Sequence, residues 1–222
     1  MLVVIFGPQT RLARTLLTPS WMQEQTVMLL VRNQPEADRL SIVYPRATLL
    51  PTEATSVDMP EEKTAVGILC CAFGVIHPTI PDPENDMAIA RRDLHLLRQL
   101  LLRYEEVPIH VVFVSSVLAL SPQPRRAYYA GWKNILCATA THLVQHHPHG
   151  VFSAFYPGRL IERRDCARPT SLLYTSYRRL ARELIDAVRL GTPRRRVVGL
   201  DARLWLAARM LANSRVAAAG RL

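Results

Sequence analysis

The chain opens on an uninterrupted apolar run, Leu2 to Phe6, that stops at Gly7-Pro8; from Leu12 to Leu17 the apolar residues take up helical spacing. That change of period predicts a strand, a tight turn and a helix. Further unalternating apolar runs follow at Thr26 to Val31, Ala65 to Ala72, His110 to Val114, Val151 to Phe155 and Arg196 to Leu200. Runs without polar alternation belong to strands covered on both faces, as in a parallel sheet. Between them, Asp86 to Tyr104 carries Ala90, Leu94, Leu97 and Leu101 on one stripe, and helical patterns span Tyr129 to His146 and Leu172 to Leu190. Strands alternating with helices of this length predict an α/β protein, a doubly wound parallel sheet with helices on both faces and right-handed crossovers.

No internal repeat, linker or low-complexity segment interrupts the pattern, so residues 1–222 are expected to form one domain, with 202–222 a helical tail. Leu200, Leu204, Ala207, Ala208 and Leu211 share one side of that tail, and Arg203, Arg209, Arg215 and Arg221 are scattered around it. It is expected to cap the domain, join a dimer or lie on a membrane surface. The apolar start has no basic region before it and no small-residue cleavage site behind it, which reads as a strand and not a signal peptide. The uncharged stretch from Thr64 to Pro81 is broken by two glycines and two prolines, and no transmembrane segment is expected.

Composition narrows the function. The 222 residues are 49% hydrophobic and 21% charged, the balance of a globular protein. The net charge of +10 would suit an anionic partner, but of 28 basic residues only Lys63 and Lys133 are lysines. The arginines are dispersed, with neither zinc-finger spacing nor an RNA-recognition motif, which argues against nucleic acid. Cys70, Cys71, Cys137 and Cys166 form neither a disulfide framework nor a zinc site, so a cytoplasmic setting is expected. His142, His146, His147 and His149 lack a carboxylate or cysteine to complete a metal site and read as the solvated end of a helix.

In a doubly wound sheet, ligands bind at the carboxyl ends of the strands. The fourth run ends in Val114-Ser115-Ser116, and thirteen residues after Ser116 comes Tyr129, with Lys133 four further on. Residues four apart share a helix face, so the phenol and the ammonium can point into one cleft beside the serine. A nearby cation favours the phenolate and lowers the tyrosine toward the working pH, where it can exchange a proton with a carbonyl or alcohol. Ser116 would hold the substrate oxygen while a cofactor supplies hydride. Chance provides only about 0.06 Tyr-x-x-x-Lys pairs in a chain of this composition, fewer still with a serine at the right offset.

In these residues the chain resembles the short-chain dehydrogenase/reductase family, whose catalytic serine, tyrosine and lysine match Ser116, Tyr129 and Lys133 in spacing and in strand-then-helix context. Tyr128 does not compete, because Trp132 stands four residues later. Phe155-Tyr156-Pro157-Gly158 resembles the Pro-Gly that borders the nicotinamide, Cys71-Ala72-Phe73-Gly74 sits where the family has Asn-Asn-Ala-Gly, and Arg182 to Gly191 with Arg196 to Leu200 resembles its last helix and strand. The resemblance implies a single Rossmann-like domain and a ketone/secondary-alcohol oxidoreductase. It implies a homodimer or homotetramer formed through the helices Asp86 to Tyr104 and Tyr129 to His146. Cofactor contacts would fall on Gly7, Thr10, Arg11, Leu12, Arg32, Ala72, Phe73, Gly74, Tyr129, Lys133, Pro157 and Gly158.

Departures from the family pattern sharpen these expectations. Its Gly-x-x-x-Gly-x-Gly falls on Gly7, Arg11 and Ala13, so only the first glycine is present. Either Arg11 folds over the phosphates as a cationic clamp or dinucleotide binding is weakened. Arg32 stands where an acidic residue would take the ribose 2′-hydroxyl of NAD. A basic residue there suits the 2′-phosphate, so NADP(H) is expected ahead of NAD(H), with Arg14 as a helper. The stretch from Arg32 to Val66 is short for two helices and a strand, which predicts a truncated crossover helix and leaves the adenine-side acidic residue unassigned, Asp58 being one candidate. The family's helix-four asparagine has no equivalent, Asn85 lying too near the helix start. Arg159, Arg163, Arg164 and Arg168, in the expected substrate lid from Arg159 to Tyr177, would meet an anionic substrate such as a phosphorylated sugar or a thioester carrier. The tail would add contact with a lipid-linked one. The depleted turn makes a non-catalytic binding or regulatory protein the alternative. A nucleotide-sugar epimerase or dehydratase has too little room for its second domain.

Overall fold

The computed structural model describes residues 1–51, 61–62, 64–74, 77, 80–162 and 169–219. In chain order the elements are β1 (Leu2–Phe6), α1 (Arg11–Leu16), α2 (Pro19–Glu24), β2 (Thr26–Val31), α3 (Gln34–Val43), β3 (Thr48–Pro51), β4 (Val66–Cys70) and α4 (Pro83–Arg103). There follow β5 (Ile109–Val114), α5 (Val117–Leu120), α6 (Ala127–Gln145), β6 (Gly150–Pro157), β7 (Leu160–Ile161), β8 (Thr175–Ser176), α7 (Tyr177–Leu190), β9 (Arg195–Val198) and α8 (Leu200–Ala219). Seven strands form one sheet in the order β3-β2-β1-β4-β5-β6-β9, and every pairing in it is parallel. The chain order reverses between β1 and β4, so the carboxyl ends of these two central strands frame the crevice in which such sheets bind ligands.

Alternate residues of each strand feed opposite cores. Leu2, Val4 and Phe6 pack with Ile68, Phe113, Leu97 and Leu136, the side covered by α4 and α6. Val3 and Ile5 pack with Leu29, Val112, Leu16 and Leu184, the side covered by α1 and α7. Two apolar faces explain the unbroken hydrophobic runs: a strand with a helix on each side has no position to give to water. Gly67 lets α7 approach β4, since a Cβ there would lie 2.5 Å from a methyl of Val188.

Helix starts follow local capping. Thr10, Asn33, Asp82 and Ser176 each accept a backbone N–H from the first turn of α1, α3, α4 and α7. Asp82 with Pro83 behind it starts α4 three residues before Asp86, where the apolar stripe places it, and Asn85 falls in its first turn. The expected helix from Leu172 begins instead at Tyr177: residues Pro169–Leu173 make a 3-10 turn, and Thr175 and Ser176 pair with β7. The short segment after Arg32 holds α3 and the four-residue β3. Asp58, Arg163, Arg164, Cys166, Arg168 and Arg221 lie outside the described residues, as does the side chain of Arg215. Among the described residues, no helix is long and apolar enough to cross a membrane.

Candidate active site

The turn after β1 is built around Gly7, whose φ of +70° is left-handed and where a Cβ would lie 2.5 Å from that of Ala72. Its carbonyl accepts the Thr10 backbone N–H at 3.2 Å and the Thr10 hydroxyl at 3.0 Å, and the same hydroxyl caps the Ala13 N–H at 3.2 Å. The chain therefore folds tightly over the end of β4 and delivers Thr10, Arg11 and Leu12 to the lip of the crevice. The structure turns Arg11 outward: its guanidinium pairs with Glu162, just past β7, at 3.1 Å, and both side chains are about two-thirds exposed, at 70% and 67%.

Ser116, Tyr129 and Lys133 meet in a cavity of about 410 Å³ whose wall also includes Thr10, Arg11, Leu12, Cys71, Ser115, Pro157, Gly158 and Tyr177. Three elements achieve this: β5 ends at Val114 and hands Ser116 to the N-cap of α5, while α6 presents Tyr129 and Lys133 one turn apart. The Ser116 hydroxyl accepts the Leu118 N–H at 3.3 Å and lines the same cavity wall as the Tyr129 phenol. Tyr128, one residue away, faces α4 and donates to Asp86 at 3.0 Å.

Burial pushes the Tyr129 phenol above its ordinary value of 10.0, while the Ser116 hydroxyl and the Arg126 guanidinium pull it down. The phenol is thus held neutral, which departs from the expected lowering by Lys133. The geometry gives the reason: the ammonium lies 5.8 Å from the Tyr129 ring centroid and donates to the Phe73 carbonyl at 3.3 Å. Lys133 is only 7% exposed, and desolvation lowers it to about 8 against the upward pull of Cys70, Asp93 and Cys137. Burial likewise drives the Cys71 thiol up to about 12, leaving it a neutral wall residue.

Asp93 of α4 is the member of the site that sequence reasoning missed. Buried at 4% exposure, its carboxylate accepts the Gly74 N–H at 2.8 Å and holds Arg92 at 3.2 Å. Gly74 has φ +56°, and its neighbour Phe73 supplies the carbonyl that receives Lys133, so Asp93 fixes the turn on which the lysine rests. Phe73 and Gly74 accordingly lie behind Lys133, and Phe73 is a core ring between Phe6 and Phe113. Desolvation raises Asp93 above the usual carboxylate range.

A second, smaller cavity of about 120 Å³ adjoins the turn, lined by Gly7, Thr10, Leu30, Arg32, Ala72, Arg92 and Asp93. The backbone N–H of Arg32 donates to Glu36, which belongs to the Asn33 cap of α3. At the other end, Gly158 donates to Val198, and its missing side chain leaves room for the Asp201 carboxylate that accepts the Arg159 N–H at 2.7 Å. Apart from Phe73 and Gly74, which line neither, the predicted site residues thus divide between two neighbouring cavities that share Thr10. A dinucleotide suits this layout on three counts: the bare Gly7–Ala72 cradle, cationic side chains at each cavity, and the Ser115 hydroxyl, buried at the wall of the larger cavity with no hydrogen-bond partner among the described residues.

No family model and no curated protein sequence matches the chain. Solved structures do match its fold. A short-chain dehydrogenase from Burkholderia cenocepacia in complex with NADP superposes with a TM-score of 0.65 at 20% identity, over 100% of this chain and 96% of that one. A 3-ketoacyl-(acyl-carrier-protein) reductase from Brucella melitensis complexed with NADH gives 0.64 at 15% identity, over 90% and 97%. A short-chain dehydrogenase from Streptomyces avermitilis gives 0.60 at 17%, over 96% and 94%. The protein has the doubly wound fold of the short-chain dehydrogenase/reductases.

Proposed function

We propose that the chain is a short-chain dehydrogenase/reductase that interconverts a ketone and a secondary alcohol with NADP(H), acting as a cytoplasmic homodimer or homotetramer. The convergence of Ser116, Tyr129 and Lys133 on the cavity that also receives the Thr10–Leu12 turn carries this reading. Thr10, Arg11 and Leu12 would hold the pyrophosphate, Arg32 with Ala72 the adenosine end, and Pro157, Gly158 and Lys133 the nicotinamide ribose side. When bound, the dinucleotide supplies or accepts the hydride at the carbonyl carbon.

The chain's own groups handle the oxygen. Ser116 donates a hydrogen bond to the carbonyl, and Tyr129, kept protonated by burial, delivers its proton as negative charge develops there. In the reverse direction, the phenolate takes that proton back. Lys133 remains mostly ammonium at pH 7 beside the Tyr129 ring and offsets the charge of the phenolate once the proton has left. Tyr129→Phe removes the proton donor without removing bulk. Single-turnover mixing with NADPH and a ketone is expected to show loss of hydride transfer by at least about 10²-fold with NADPH affinity intact. Unchanged transfer would exclude the mechanism.

A further inference from the structure

Beside the catalytic cavity lies a wider cleft of about 720 Å³, lined by Arg11, Arg14, Thr15, Glu162, Tyr177 and Arg178. Arg11 and Tyr177 belong to both walls, so the two spaces adjoin. Three guanidinium groups face one carboxylate. Glu162 is taken up by Arg11, whereas Arg14 on α1 and Arg178 on α7 enter no ion pair among the described residues. Packing holds the helices that carry them, while both side chains are exposed. Leu12, Ala13 and Leu16 of α1 and Leu180, Ala181 and Leu184 of α7 are buried in one core, which fixes the separation of the helices. Three guanidinium-bearing residues around one cleft, with Glu162 the one carboxylate in its described wall, leave it a net positive charge that an anion relieves.

We propose that this cleft binds an anionic group of the substrate, a phosphate or a carboxylate, while the carbonyl sits between Ser116 and Tyr129. The inference rests on the oxidoreductase reading for the position of the carbonyl, and on the cleft alone for the charge. Arg14 and Arg178 are specificity residues, with Thr15 and Tyr177 lending hydroxyl groups. Arg11 is shared between the cleft and the turn.

The test compares 4-acetylphenyl phosphate with neutral 4-methoxyacetophenone, using the full chain and the variants Arg14→Ala, Arg178→Ala and the double variant. Calorimetry measures binding of the phosphate ketone, NADPH fluorescence measures the cofactor, and NADPH oxidation measures turnover. The wild type should favour the phosphate ketone in kcat/KM by about tenfold or more. Arg14, expected from the sequence to help Arg32, lines this cleft and not the cavity that holds Arg32, so the double variant should lose that preference through KM, with the neutral ketone and the NADPH Kd unchanged. If the phosphate ketone binds in an Arg14- and Arg178-dependent way but neither ketone turns over, the anion site stands and the oxidoreductase reading falls. Equal use of both ketones, absence of measurable phosphate-ketone binding, or a double variant that weakens NADPH instead, would each overturn the proposal.

Discussion

Lys133 pays for its position. Lowering an ammonium from 10.5 to about 8 corresponds to roughly 3 kcal/mol against the charged form. Because the folded protein holds this proton less tightly than the unfolded chain, the penalty is full below about pH 8 and is relieved as pH rises toward 10.5. Lys133→Met should therefore raise the Tm at pH 7 by a few °C, remove Lys133's contribution to the stability gained across that window, and abolish turnover. Thermal melts at stepped pH read all but the last. Asp93→Ala leaves the buried Gly74 N–H without its acceptor and should destabilise the fold by about 1–3 kcal/mol in urea, whereas Asp93→Asn keeps an acceptor and should cost less. The two residues also differ in legibility. Tyr129 and Lys133 share a helix face and Ser116 ends a strand, so their meeting could be read from spacing. Asp93 sits mid-helix in a segment rich in charge, and its partner Gly74 lies nineteen residues back across a turn, a contact that no local pattern announces.

At the scale of elements, the strands were readable because burial on both faces leaves continuous apolar runs, and β1 and β2 coincide with the predicted segments. Periodicity was less informative where capping decides. Ser176 starts α7 five residues after the apolar pattern does, and Asp82-Pro83 starts α4 before it. The four-residue β3 has only one buried position, too little to register as a run. The β1–α1 turn depends most on a single residue. Gly7→Ala forces a side chain into a left-handed backbone and against Ala72, and should destabilise by on the order of 3 kcal/mol while eliminating dinucleotide binding. Arg11 acts differently. Its exposed pair with Glu162 contributes little to stability, so Arg11→Ala should leave the urea midpoint nearly unchanged. To clamp pyrophosphate, the same side chain must exchange Glu162 for the phosphates; on that reading the variant is expected to bind NADPH about tenfold more weakly, with a shallower salt dependence.

For the whole molecule, the order of seven parallel strands brings the carboxyl ends of β2, β1, β4, β5 and β6 to one rim, where Arg32, Gly7, Ala72, Ser116 and Gly158 follow the strands and α6 adds Tyr129 and Lys133. Fold class was legible from the alternation of strands and helices. The strand order was not, since pairing is settled by which apolar faces meet across the sheet. The faces left outside also carry information. Met87 and Leu102 on α4 and Ile135 on α6 are exposed, which suits the proposed assembly through these helices. Light scattering should find a dimer or tetramer, and Leu102→Glu with Ile135→Glu should shift it toward monomer. The central claim remains that the rim takes a nicotinamide dinucleotide with a 2′-phosphate. It is tested most directly by titrating the protein with NADPH and NADH while following nicotinamide fluorescence and thermal stability together. The account predicts tighter binding of NADPH, with stabilisation of about 3 kcal/mol at a hundredfold excess over Kd. Binding of neither would contradict it and leave the fold as a non-catalytic scaffold; preference for NADH would contradict the role of Arg32.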